Sequence, residues 1–132
     1  MTTHVTPVDP DQLFRSPAFA QGMIAPAGPL LFVGGQNGTD ASGALLDGLR
    51  AQTEQALRNV LAVLAAAGTG PEHVVKMNIN IAPDVDPDEA YAASGAVWRE
   101  RTAVTVLTVA PARPGALVEI DAIAAIPGSS VE

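Results

Sequence analysis

Residues 102–127, TAVTVLTVAPARPGALVEIDAIAAIP, decide the fold, because they read as two strands of different kinds joined by a short loop. Ala103 to Ala110 is almost continuously apolar and rich in Val and Thr, the composition of a strand covered on both faces. Pro111, Pro114 and Gly115 break the run, since a central strand tolerates neither proline. Ala116 to Ile126 then alternates. Val118, Ile120, Ala122, Ala124 and Ile126 fall on one face, and Leu117, Glu119, Asp121 and Ile123 on the other. Glu119 and Asp121 lie roughly 6.5 Å apart on that second face. They fit either a face that meets water or a pocket in which a carboxylate works as general acid or base.

Composition narrows the class. A chain of 132 residues, 48% hydrophobic and 16% charged, reads as one ordered domain spanning 1–132. The longest apolar run, Val60 to Ala67, is too short to cross a bilayer. The start, MTTHVTPVDPDQLF, shows no basic region followed by an apolar core, so a cytoplasmic protein is expected. With no cysteine there is no thiolate nucleophile and no Cys-based zinc site. A net charge of −7 with one Trp and one Tyr opposes a nucleic-acid surface. His4 and His73 are far apart in sequence and fit no metal-ligand spacing, so surface or capping roles are expected.

Outward from the decisive stretch, Val5 to Pro7 reads as a short edge strand. Phe19 to Ala25 and Pro29 to Gly34 read as a hairpin. Gly34 and Gly35 end the second arm where the backbone turns or approaches something closely. A helix is predicted from Gly48 to Ala67, with Asp47 as N-cap and Gly68 beyond its end. Its apolar stripe is Leu49, Ala56, Leu57, Val60, Leu61, Leu64 and Ala67, with Gln52, Glu54 and Arg58 opposite. Val75 to Ile81 alternates as a half-polar strand. Asp86-Pro87 opens a second helix, expected to carry Ala90 to Arg99. The sum is an α+β layer of about six strands and two helices. Two helices cover only one face of such a sheet, so an identical subunit is the simplest cover for the other.

Five segments in this order resemble the Rid (YjgF) family of reactive-intermediate, or enamine/imine, deaminases: SPAFAQG at 16–22, LLFVGGQ at 30–36, QTEQALRNVLAVLAAAG at 52–68, VVKMNINI at 74–81 and ALVEIDAIA at 116–124. The resemblance implies a chorismate-mutase-like fold, a six-stranded mixed sheet covered by two helices, and a homotrimeric barrel with clefts between subunits. It implies a small-molecule ligand and no metal or organic cofactor. It places the water-orienting glutamate at Glu119 and cleft-lining backbone at Gly34, Gly35 and Gln36. Phe19 stands where the family has a tyrosine, so the ring is kept and the hydroxyl lost. The family's spacing, counted back from Glu119, puts its carboxylate-holding arginine at Val104, beside Thr105. The literal Pro111-Ala112-Arg113 falls inside the loop, and Arg101 is three positions early. The chain thus resembles a branch without the signature arginine.

Valine offers a carboxylate none of the paired, charge-assisted bonds of a guanidinium. The expected activity is therefore hydrolysis or tautomerisation of an imine or enamine other than the simple 2-imino acids, with Glu119 positioning water. The alternative is a non-catalytic ligand-binding or interaction protein on the same trimeric scaffold.

Overall fold

The computed structural model describes residues 4–128. The chain runs β1 (Thr6–Val8), β2 (Gly22–Ile24), β3 (Leu30–Asn37), α1 (Leu49–Ala66), a 3-10 turn (Pro71–His73), β4 (Val74–Ile81), α2 (Pro87–Ser94), β5 (Ala103–Thr108) and β6 (Val118–Ala125). The α+β class holds. The expected six-stranded sheet does not form: four strands pair in the order β3-β6-β4-β5, and β1-β2 is a separate ribbon. β6 is antiparallel to both β3 and β4, while β4 and β5 are parallel. The last strand thus inserts between two strands made much earlier, which is why its alternation shapes the whole sheet. Val118, Ile120, Ala122 and Ala124 are at most 2% exposed and face the helices.

The expected hairpin is corrected too. Gly22–Ile24 pairs with Thr6–Val8, whereas β3 is the edge strand of the other sheet and pairs with β6, Leu30 opposite Ala125. Gly34 and Gly35 lie within a register shift between Val33 and Gln36, a β-bulge in β3.

The first helix begins at Leu49 with Gly48, φ +88, as its N-cap and no side-chain cap bond, so Asp47 does not cap it. Its end is as read. Gly68 at φ +81 allows Gly68 N–H to bond Ala65 O and Thr69 N–H to bond Leu64 O, a Schellman closure. Gln52, expected on the polar side, is 3% exposed. Its Nε2 donates to Leu46 O and Gly115 O, and its Oε1 accepts from Leu117 N–H at 2.8 Å. Asp86 caps α2, accepting from Asp88 N–H at 2.9 Å. That helix stops at Ser94, short of Arg99, where the Ser94 hydroxyl donates back to Tyr91 O at 2.7 Å.

β5, expected to be covered on both faces, is an edge strand in the protomer. Val106 is 53% and Leu107 56% exposed. Both helices pack on one sheet face. The outer face carries exposed Phe32 and Leu107 among polar residues. Among the described residues no helix is long and apolar enough to cross a membrane. The two histidines, far apart in sequence, stack with ring centroids 6.4 Å apart.

Candidate functional site

Strand register orders the outer face into rows. Asn37, Glu119, Asn80 and Leu107 form one row across β3, β6, β4 and β5. Asp121, Asn78 and Thr105 form the next, and Phe32, Ile123, Lys76 and Ala103 the one after. Asp121 is held within the sheet by Asn78 Nδ2 at 2.9 Å. Thr105 Oγ1 accepts from Lys76 Nζ at 2.6 Å.

Glu119 is half-buried at the β-bulge. Asn37 Nδ2 donates to its Oε1 at 3.4 Å and to Val118 O at 3.1 Å. Asn37 is itself anchored from α1, since Asn59 Nδ2 donates to Asn37 O and Thr39 O at 3.1 and 3.0 Å. The opposite wall is Gly35, where a Cβ would stand 2.4 Å from Glu119 Oε2. Gly34 and Gly35 are exposed, and the Gln36 amide donates to Gly34 O at 3.3 Å. Glu119, Gly34, Gly35 and Gln36 therefore form one cluster: a carboxylate oriented by an amide beside bare backbone.

Phe19 belongs to a second cluster. Arg101 Nη2 donates to Phe19 O at 2.8 Å and to Asp9 Oδ1 at 3.0 Å, and Nε donates to Ser16 O at 2.9 Å. This guanidinium moors the segment from Ser16 to Ala20 against the head of β5. Among the bonds of the described residues none uses Nη1. The Arg101 bond, reinforced by Gln21 N–H, holds the Asp9 carboxyl below its ordinary value of 3.8. The two clusters do not meet within one protomer. From the row of Ala103 to that of Glu119 is four residues along β4, roughly 13 Å, and Arg101 lies further still.

Val104, expected at the arginine's position, joins neither cluster. It pairs with Met77, packs against the interior core and lines a cavity on the helix face. The count back from Glu119 that leads to Val104 runs through the loop between β5 and β6 and takes its length as fixed. Thr102, fully buried with its hydroxyl on Val74 O, turns its neighbours Arg101 and Ala103 the other way, toward the outer face. Asn37, Asn59 and Asp9 escaped sequence reasoning. Their partners are far away in the chain, and single polar residues in loops and strands carry no periodic signal. Among the described residues no group of three or more His, Asp or Glu could hold a metal.

The family model described as Endoribonuclease L-PSP matches residues 13–126. Among solved structures, the Rid-family protein of unknown function YyfB from Yersinia pestis is 28% identical, with a TM-score of 0.84 over 93% of this chain and 99% of that one. RidA from an Antarctic Psychrobacter is 27% identical, with a TM-score of 0.64 over 96% of this chain and 100% of that one. A member of the YjgF family from Neisseria meningitidis, 24% identical, shares the fold with a TM-score of 0.66 over 87% of this chain and 92% of that one. No curated protein matches. With matches along nearly its whole length and the glycine bulge set against Glu119, the chain belongs to the Endoribonuclease L-PSP family, also called YjgF/Rid.

Proposed function

We propose that the protein hydrolyses the C=N bond of a small imine, or of the enamine in equilibrium with it, in a cleft between subunits of a homotrimer. Water adds to the C=N carbon, the nitrogen leaves as ammonia and a carbonyl product remains. Members of the family are deaminase- or endoribonuclease-like, and the family is typically oligomeric. The observation that carries the reading is the oriented Glu119 carboxylate, separated from the Arg101–Phe19 cluster by more than one protomer can bridge. A neighbouring subunit that brings its own head of β5 to the bulge completes the site. Glu119 then holds the attacking water and takes its proton. Arg101, with Nη1 unengaged, is the group placed to meet an acidic end of the substrate. Its charge is already opposed by Asp9, so substrates of low acidity are favoured over simple 2-imino acids. An RNA substrate, which the family's description suggests, is opposed by the net charge of −7.

A second reading, ligand binding without catalysis, is favoured by Phe19, which lacks a hydroxyl. One experiment separates the two. A dehydratase generates 2-iminobutanoate, and semicarbazone formation and ammonia release are followed with wild type, Glu119→Gln and Asp9→Asn. Wild type should act slowly, Asp9→Asn should act better by unmasking Arg101, and Glu119→Gln should lose about 10²–10⁴-fold. Equal rates for wild type and Glu119→Gln refute the catalytic assignment. Light scattering should give roughly three times 13.5 kDa, and a monomer would remove the basis for a shared cleft.

A further inference from the structure

The bulge in β3 does more than clear space beside Glu119. Before it, Phe32 stands opposite Ile123 and Val33 opposite Ala122; after it, Gln36 stands opposite Ile120 and Asn37 opposite Glu119. Without the extra residue Gln36 would meet Glu119, and Asn37 would turn to the inner face with Val118. The slip of one residue therefore selects which amide meets the carboxylate. Asn37 Nδ2 has two protons and two acceptors, Val118 O at 3.1 Å and Glu119 Oε1 at 3.4 Å. Turning the amide over would aim its oxygen at a carbonyl and a carboxylate, so its orientation is fixed. Asn59 in α1 is committed in the same way. Its Nδ2 donates to Asn37 O and Thr39 O, and its Oδ1 accepts from Gln55 Nε2 at 2.8 Å. Thr39 N–H also donates to Asn37 O, at 2.8 Å, and closes a tight turn on the same carbonyl. A chain of amides, Gln55 to Asn59 to Asn37, thus runs from the helix past the end of β3 to one oxygen of Glu119.

We infer that Asn37 and Asn59 are positioning residues for Glu119: the amide chain pins Oε1 and leaves Oε2 as the oxygen that holds the attacking water and takes its proton. The inference rests on the reading of Glu119 as the general base. Oε2 is the atom nearest to where a Cβ on Gly35 would stand, so it lies over bare, exposed backbone with no side chain from that residue to cover it. A carboxylate free to rotate would present either oxygen and spend part of its time out of line with the C=N carbon, and alignment is among the larger contributions to enzymatic rate. One bond of 3.4 Å is a weak restraint by itself. Its strength comes from Asn37 being tied to α1 through Asn59. The other charged groups of the four-stranded sheet have partners of their own, Asp121 with Asn78 and Lys76 with Thr105, while Arg101 and Asp9 bind each other at the head of β5.

The test follows the Glu119 carboxyl carbon by NMR in the intact protein, labelled with carbon-13 at its glutamate carboxyls, the signal being identified by its loss in Glu119→Gln. Asn37→Leu keeps the size of the side chain and removes the donor. A bond to the ionised form favours that form, so Asn37→Leu should raise the pH at which Glu119 titrates, by about half a unit. Asn59→Leu should move it the same way by a smaller step. Thr69→Val, which removes a bond from the end of α1 to Ala125 O, should lower stability and leave the titration where it is. In the imine assay both asparagine variants should lower kcat about tenfold with KM unchanged, and the acid limb of the pH–rate profile should rise with the NMR midpoint. A titration unchanged in Asn37→Leu overturns the inference, and so does an equal shift in Thr69→Val. A shift in Asn37→Leu with wild-type behaviour in Asn59→Leu overturns the relay from α1. Equal turnover by wild type and Glu119→Gln would sink the hydrolase reading and with it the task given to Oε2, while the titration still decides whether the amide chain holds Oε1. If either leucine variant fails to fold, Asn37→Ala or Asn59→Ala carries the same comparison.

Discussion

Two glycines three residues apart at the end of β3 should respond to the same substitution in opposite ways. The three atoms nearest a Cβ on Gly35 would all belong to the Glu119 side chain, with Oε2 at 2.4 Å and Cδ at 2.8 Å. A Cβ on Gly38 would meet the Gln52 backbone in α1, at 2.4 Å from Cα and 2.5 Å from O. Neither glycine has a positive φ, so alanine is strained by neighbours rather than by its own backbone. In Gly35→Ala the carboxylate swings aside and its 3.4 Å bond from Asn37 is lost, costing about 0.5–1.5 kcal/mol. A stiffer unfolded chain returns about 0.4–1 kcal/mol, so the net change is within about 1 kcal/mol. In Gly38→Ala the helix or the strand must move, at the upper end of the ~1–3 kcal/mol that overpacking costs. Urea unfolding at one fixed protein concentration measures the difference. With a slope of about 2 kcal/mol/M, Gly38→Ala should lower the midpoint by about 1 M and Gly35→Ala should barely move it. Hydrolysis should follow the reverse order, because only Gly35→Ala displaces Glu119 directly. Equal midpoints for the two variants would refute the reasoning, and so would full activity in Gly35→Ala.

Gln52→Leu removes three hydrogen bonds and leaves Leu117 N–H without its partner. At about 0.5–1.5 kcal/mol per bond, a loss of about 1.5–4.5 kcal/mol in the same urea assay is expected. Asp9 is depressed in the folded protein, so its contribution is present above pH 3.8 and is lost as pH falls through the lower folded value. The stability difference between wild type and Asp9→Asn should therefore be flat from neutral pH to about 4 and shrink below 3.8. A difference that fades between pH 7 and 5 would point to another group.

What could be read from the sequence was whatever repeats at short range. The faces of β6 follow from a period of two, and the end of α1 follows from one glycine after an apolar stripe. The pair Gly34-Gly35 announced a turn or a close approach, and the structure has both a bulge and contact with Glu119. Gln52 could not be read the same way. A helical template sends a glutamine to solvent, whereas its three partners come from Leu46, Gly115 and Leu117, all loop positions with no pattern of their own. The hairpin expected before β3 failed for a related reason. Local turn chemistry favoured it, but Gly22–Ile24 pairs instead with Thr6–Val8, a strand that precedes it in the chain.

Val104 is more instructive, because strand parity says which face a residue takes and residue counting does not. Along β5, Val104 and Val106 turn toward the helices and the cavity, and Ala103, Thr105 and Leu107 turn outward to share a face with Glu119. Residues 109–117 form no strand, so their number can change without altering either set. A count that passes through this loop can land on either face. Parity within the strand, fixed by the buried Thr102, cannot. A residue of β5 that shares a face with Glu119 must therefore come from the outward set, whereas an even-numbered position such as Val104 faces the helices. One strand thus serves both faces of the sheet, and a substitution in it should perturb the outer face that carries Glu119 or the packing beneath the helices, not both.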